Sequence, residues 1–348
     1  MKIAVFGAGS IGAYVGGSLL AAGGNVVLIG RARMRARTSL EGLVLTDLFG
    51  RRIDLPAVSI RYAEHPRALT DAGLILVTVK SADTPVAAAE ILAHAPADAV
   101  VLSLQNGIGN TNVLRAALPG RCVLAGMVPF NVAPTPDGRL HRATGGEMMV
   151  EKTAALDPWH QLFARAHLPL HQRDNFDSIQ WGKLLINLNN SVNALSGLPI
   201  RAQLSQRDYR RCFAAMISET LGILRSAGVR PAKVARVGPS LMALLLRLPD
   251  PLFRRVAAAM LRIDPEARSS MWDDLQAGRR TEVDFINGAV LSLADSLGCD
   301  APLNRRMVAL IRDAEEGRST PSDGARLYRE LRSSSPSSNA SLVPSSAP

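Results

Sequence analysis

Lys183, Asn187 and Ser191 recur at four-residue intervals within WGKLLINLNNSVNAL, residues 181–195. On a helix these three share one face, with Asn190 beside them. A charged, amide-rich stripe is costly to bury without partners. A solvated face would more often carry Glu, Gln or Arg than Asn, a poor helix former. The stripe therefore predicts a polar cleft that faces a ligand. Of the 40 basic residues only five are lysines, Lys2, Lys80, Lys152, Lys183 and Lys233. An ammonium can give up its proton near neutral pH and a guanidinium cannot. Lys183 is thus the natural general acid, although chance retention accounts for any one lysine taken alone.

A site that accepts hydride at a carbonyl needs positioning, a proton for the developing alkoxide, and stabilisation of its charge. Other segments offer such groups. Lys80 ends the apolar run LILVTVK, and ligands of open α/β sheets bind beyond the carboxyl ends of strands. It would meet an anion or a ribose there; a strand-end surface cation is the plainer reading. Asn106 closes SLQNG at the same edge, where its amide could hold a substrate hydroxyl or the nicotinamide ribose; an ordinary Asn-Gly turn fits equally well. Ser270 and Glu282 lie in SSMWDD and GRRTEVDFING. Ser270 could simply cap a helix. Glu282 could be a surface acid, or a carboxylate opposite Lys183 that sets its protonation.

Strand KIAVF runs into Gly7-Ala8-Gly9-Ser10-Ile11-Gly12, a GxGxxG that opens a helix within a βαβ unit. Gly7 allows the sharp turn, Gly9 lets backbone amides approach a pyrophosphate, and Gly12 lets helix and strand pack closely. The positive helix end faces the phosphates. An NAD site usually carries Asp or Glu at the end of the second strand. Here the sequence is Ile29-Gly30-Arg31-Ala32-Arg33. Arg31, assisted by Arg33 or Arg35, can bind a 2′-phosphate through its planar fork, so the expected cofactor is NADPH.

The 348 residues suit two domains. Cys122, Cys212 and Cys299 are odd in number and far apart, which argues against a disulfide framework and fits a cytoplasmic location. His167 and His171 are interrupted by Pro169, so no metal is expected. The N-terminus does not read as a signal peptide. Residues 242–261 are too broken by Arg, Asp and Pro to span a membrane. They suit an amphipathic helix pair covering a core or forming a homodimer contact. The net charge of +10 comes from scattered arginines without aromatic interleaving, so nucleic acid is not an expected partner.

Strands at 2–6, 25–29, 74–79 and 99–104 alternate with helices at 10–22 and 84–93, which predicts a parallel sheet. Residues 123–150 suggest an antiparallel extension of it, and 168–175 a linker. From Phe176 the pattern is helical to about Leu331. The Ser/Pro-rich tail, 333–348, lacks the apolar content to fold.

Together these features resemble the ketopantoate reductase (2-dehydropantoate 2-reductase) family over residues 1–332. The resemblance is carried by GAGSIG, Arg31, VTVK, LQNG, KLLIN, SSM and GRRTEVDFING. It implies an α/β fold: an N-terminal Rossmann-type dinucleotide-binding domain (1–172), then an all-helical C-terminal domain (173–332). It further implies a cleft between them in which NADPH reduces ketopantoate to pantoate, a step towards pantothenate and coenzyme A. Lys183 would be the general acid. Asn106, Asn187, Ser270 and Glu282 would bind substrate or position the reacting groups, and Lys80 would lie near cofactor and substrate. Two departures stand out. Ser191 occupies a position where the family often has a second asparagine, and residues 229–267 exceed the minimal pattern. Both leave another small 2-keto acid open as substrate. A non-catalytic NADPH-responsive binding protein would require the cleft groups to be missing, and they are present.

Overall fold

The computed structural model describes residues 1–233, 237–256 and 264–333. Its strands are β1 (Lys2–Phe6), β2 (Asn25–Ile29), β3 (Leu43–Asp47), β4 (Arg52–Leu55), β5 (Arg61–Ala63), β6 (Ala72–Val77), β7 (Val100–Ser103), β8 (Val123–Met127), β9 (Val132–Pro134), β10 (Leu140–Arg142), β11 (Met148–Glu151) and β12 (Leu170–Arg173). Helices α1 (Ser10–Ala21), α2 (Ala32–Glu41), α3 (Thr84–His94), α4 (Asn110–Ala117) and α5 (Asp157–Arg165) lie between them. The helical part comprises α6 (Phe176–Asn187), α7 (Asn189–Ser196), α8 (Ile200–Leu204), α9 (Arg207–Ser226), α10 (Pro239–Leu246), α11 (Asp250–Val256), α12 (Ser270–Gln276), α13 (Val283–Ser296), α14 (Pro302–Glu315) and α15 (Gly324–Arg332).

The main sheet has the order β12-β11-β8-β7-β6-β1-β2-β5. From β5 to β8 every pairing is parallel. Counting those six strands along the chain, their spatial order is 3-2-1-4-5-6, the doubly wound dinucleotide-binding arrangement. The order reverses between β1 and β6, so the GxGxxG turn and the segment before Lys80 flank the switch point, where such sheets bind ligands.

Residues 123–150 divide in two. β11 joins the main sheet antiparallel to β8, as the sequence suggests. β9 and β10 instead join β3 and β4 in a separate sheet of order β4-β3-β10-β9. This small sheet covers the outer side of α1, whose residues from Gly12 to Leu19 are all buried. A helix flanked on both sides needs small residues. A Cβ on Gly16 would come within 2.5 Å of Leu28, and one on Gly17 within 3.0 Å of Leu45. The expected linker at 168–175 is a further correction, because β12 runs through it as an edge strand parallel to β11.

The second domain's core gathers Leu184, Leu185, Leu188, Phe213, Ile217, Val290 and Ile311, all buried. Arg210 is fully buried inside it. Its guanidinium donates to the carbonyls of Leu204, Leu246 and Leu248, pairs with Asp250 at 2.8 Å, and lies 4.1 Å from the Phe253 ring centre. These bonds tie α10 and α11 to α9. The pair buries Met242, Leu246 and Phe253 and exposes Leu241, Leu244, Leu252 and Val256. Residues 257–261 of the expected apolar stretch, and the tail beyond Ser333, lie outside the described residues.

Candidate active site

Helix α6 begins where Asn175 caps it, accepting a hydrogen bond from the Ser178 amide at 3.2 Å. Phe176, Ile179, Trp181, Leu184 and Leu185 bury one side of it, leaving Lys183 and Asn187 half-buried at the junction of the two domains. The Lys183 ammonium donates to Asn106 Oδ1 at 2.7 Å and to the Val128 carbonyl at 2.8 Å. Both acceptors belong to the first domain. Burial lowers the Lys183 pKa to about 8, while the charge of Glu282 acts in the opposite direction.

Asn106 follows β7 and is fixed through its backbone. Its carbonyl accepts from Asn110 Nδ2 at 2.7 Å and lies 3.0 Å from Ser81 Oγ. Gln105 reaches back to Thr84 Oγ1 at 2.7 Å and to the Val79 carbonyl at 3.2 Å. This buried polar cluster joins the ends of β6 and β7, so the amide meeting Lys183 is held rigidly. Gly107 must be glycine: its φ is +81°, and a Cβ would lie 2.7 Å from the Phe285 carbonyl of the other domain.

Glu282 precedes α13. Its Oε1 accepts from the Ser81 amide at 3.1 Å and lies 2.9 Å from Ser81 Oγ. It therefore contacts the Rossmann side directly and meets Lys183 only through its field. Lys80 forms an ion pair with Asp274 Oδ2 on α12. Asp274 is buried and also accepts from Arg279 Nε at 3.1 Å. Sequence reasoning missed this pairing; the only hint was an Asp-Asp dipeptide close after Ser270.

The expected substrate residues divide. Among the described residues the Asn187 amide and the Ser270 hydroxyl have no hydrogen-bond partner. Ser270 is not the helix cap; Ser269 fills that role, accepting from the Trp272 amide. Ser191 is fully buried, and its hydroxyl donates to the Leu188 carbonyl at 3.0 Å. It does not share the cleft with Lys183, because the expected single helix is interrupted at Leu188 and α7 turns this residue into the core. Nor do the neighbouring amides all face a ligand. Asn189 pairs with Gln203, and Asn193 binds the Leu198 carbonyl and the Ser269 amide.

At the nucleotide turn, Gly7 has φ +112°, and a Cβ there would stand 2.4 Å from the Val79 nitrogen. A Cβ on Gly12 would stand 2.4 Å from the Gly7 carbonyl. Gly9 differs, for its Cβ would meet only the Gly7 carbonyl, 4.0 Å away. The amides of Gly7 and Ala8 both donate to Ile29, at 2.9 Å. The first helical bond runs from Ala13 to Gly9, so the amides of Ser10, Ile11 and Gly12 are left for an anion. Arg31 stands past β2 with 85% of its side chain exposed, and among the described residues its guanidinium meets only Asp83, at 3.4 Å. Arg35 is occupied by Glu64 at 3.0 Å. The open face at Gly9, the free amides and the exposed guanidinium fit a 2′-phosphorylated dinucleotide.

The family model described as ketopantoate reductase PanE/ApbA matches residues 3–154, and its C-terminal companion matches 175–315. This chain belongs to the ketopantoate reductase family. A 2-dehydropantoate 2-reductase of Pyrococcus horikoshii is 30% identical over 325 residues, spanning 90% of this chain and 98% of the relative. The crystal structure of a PanE/ApbA-family ketopantoate reductase from Ralstonia eutropha JMP134 superposes with a TM-score of 0.76 at 30% identity, covering 91% of this chain and 99% of that one. A D-mandelate dehydrogenase solved with NADH and anilino(oxo)acetate shares the fold at 21% identity and TM-score 0.73, over 91% of this chain and 99% of that one. Reductases of the ketopantoate family use NADPH. Among the described residues, no helix of this member is long and apolar enough to cross a membrane, and no cluster of His, Cys, Asp and Glu could hold a metal ion.

Proposed function

We propose that the protein is an NADPH-dependent 2-dehydropantoate 2-reductase, converting ketopantoate to pantoate in the cytoplasm. The observation that carries this reading is the Lys183 ammonium, bonded across the domain junction to Asn106 and Val128.

The amides of Ser10, Ile11 and Gly12 and the guanidinium of Arg31 would hold the dinucleotide, which supplies hydride when bound. Lys183 has three N–H donors, and Asn106 and Val128 engage two of them. The third remains for the keto oxygen of the substrate. With its pKa lowered only to about 8, the side chain stays mostly protonated at pH 7. It can therefore stabilise the developing alkoxide and then deliver the proton that completes the secondary alcohol. Asn106 and Val128 fix the direction of that delivery. Asn187 and Ser270, without side-chain partners among the described residues, are assigned to the substrate's carboxylate and hydroxyl. Glu282 keeps Lys183 charged.

The test is NADPH consumption by purified protein given ketopantoate beside other small 2-keto acids. Preference for ketopantoate supports the proposal, and preference for an analogue moves it to the second reading. That reading is a reductase of another small 2-keto acid, left open by the longer stretch at residues 229–267. The exposed leucines of α10 and α11 are the surface we assign to a homodimer, which light scattering of the purified chain would measure.

A further inference from the structure

A second cavity lies away from the cleft, between the β3–β4 turn, the ends of β8 and β10, and the segment joining α5 to β12. It holds about 620 Å³ and shares no lining residue with the Lys183 pocket. That volume is within the range of small-molecule sites.

Two guanidinium groups line it. Arg142 is buried, with 7% of its surface exposed, yet among the described residues its guanidinium hydrogen-bonds only main-chain carbonyls, those of Thr144 at 3.2 Å and Gly146 at 2.8 Å. Its guanidinium stacks 4.0 Å from the Phe130 ring centre and 5.8 Å from that of Phe49. Arg51 is half-buried and donates to the Ala166 carbonyl at 2.8 Å. Among the described residues neither group forms an ion pair with a carboxylate. Buried cations ordinarily find one. Phe49, 69% exposed, presents a large aromatic surface at the cavity mouth. The lining also includes His167, whose φ of +58° puts a residue with a side chain where a helix end usually takes glycine. Non-glycine residues held in that region gather at ligand sites.

The carboxylates in the lining limit the ligand's charge. Asp47 Oδ1 is occupied by the amides of Phe49 and Arg51, at 2.8 and 3.0 Å, but its charge remains. Glu147 stands at the wall, 3.4 Å from His171. A dianion would be repelled by both, whereas a single negative charge can sit between the guanidiniums. We infer that this cavity is a binding site for a flat, apolar monocarboxylate, with its carboxylate on Arg51 and Arg142 and its body against Phe49 and Phe130.

Calorimetric titration of the full chain at pH 7 with benzoate, benzyl alcohol and phenyl phosphate tests this. Benzoate should bind with a Kd on the order of 1 mM or tighter. Benzyl alcohol and phenyl phosphate should bind at least about tenfold more weakly, the cost of one charged hydrogen bond or one repelled charge. Arg51→Ala and Phe49→Ala should each weaken benzoate about tenfold and leave NADPH-consuming turnover intact. Both positions are more exposed than Arg142, whose replacement threatens folding. No benzoate binding to the unaltered protein would overturn the proposal, as would equal binding by both variants. Benzoate competing with the keto acid would also overturn it, because the probe would then occupy the catalytic cleft. The binding measurements need no turnover, so their outcome is independent of the assignment of the reductase substrate.

Discussion

Lys183 Nζ and Asn106 Oδ1 lie 2.7 Å apart although 77 residues of chain separate them and each belongs to a different domain. The ammonium of one domain is therefore oriented by an amide of the other. Replacing Lys183 with Ala should lower kcat by about 10²–10⁴, the range for a lost general acid. NADPH affinity, read by fluorescence titration, should change little, because the dinucleotide turn makes no bond to Lys183. Comparable turnover in the variant would remove Lys183 from the chemistry.

The protonation of that ammonium sets a pH profile. Burial brings its pKa down to about 8, so kcat/KM should fall as pH rises through that value. Glu282 raises the pKa, so Glu282→Gln should move the alkaline limb to lower pH. Stability runs the other way. The folded pKa lies below the unfolded value of 10.5, and between the two the unfolded chain binds more protons. This one group therefore adds stability as pH climbs from about 8 to 10.5. Thermal melts of Lys183→Met across that range should lack the increment.

Arg31 offers a cleaner test of cofactor choice, since among the described residues its guanidinium hydrogen-bonds only Asp83, at the surface. Arg31→Ala should weaken NADPH by about tenfold or more, the worth of charge-assisted bonds to a phosphate, and leave NADH nearly unchanged. An equal loss for both nucleotides would assign the 2′-phosphate elsewhere.

The glycines of the turn separate folding from binding. Gly7→Ala forces a Cβ against the Val79 backbone at an unfavourable φ, so the melting temperature should drop by about 5 °C or more. Gly9→Ala has room for its methyl group and should melt normally while binding NADPH poorly.

Among the expected substrate residues, Asn187→Ala and Ser270→Ala should raise KM for the keto acid with little change in stability. Ser191→Ala should do the reverse, leaving KM alone and costing about 1 kcal/mol for its buried hydrogen bond. Steady-state kinetics beside denaturant melts distinguishes the two patterns.

The sequence made some of this site legible and hid the rest. The GxGxxG turn was readable because steric exclusion at Gly7 and Gly12 leaves a mark on residue type. The stripe around Lys183 was readable only in part. Its amides were expected to face a ligand, but Asn189 and Gln203 satisfy each other inside the core, and such reciprocal pairing leaves no periodic signature. Ser191 was misplaced for a related reason: a hydroxyl can return to the carbonyl three residues back and be buried cheaply. β12 escaped notice because an edge strand of sequence LHQR needs no apolar run. The pairing of Lys80 with Asp274 spans 194 residues, and no local pattern encodes it.

The second acceptor for the Lys183 ammonium is the main-chain oxygen of Val128. Every amino acid brings the same carbonyl to that position, so no exchange of side chain there deletes it. Half of the lysine's tether is thus immune to point mutation at its far end and can be broken only by shifting the strand's exit path. Substitutions at Asn187, Ser270 and their neighbours would therefore leave this half of the ammonium's aim in place.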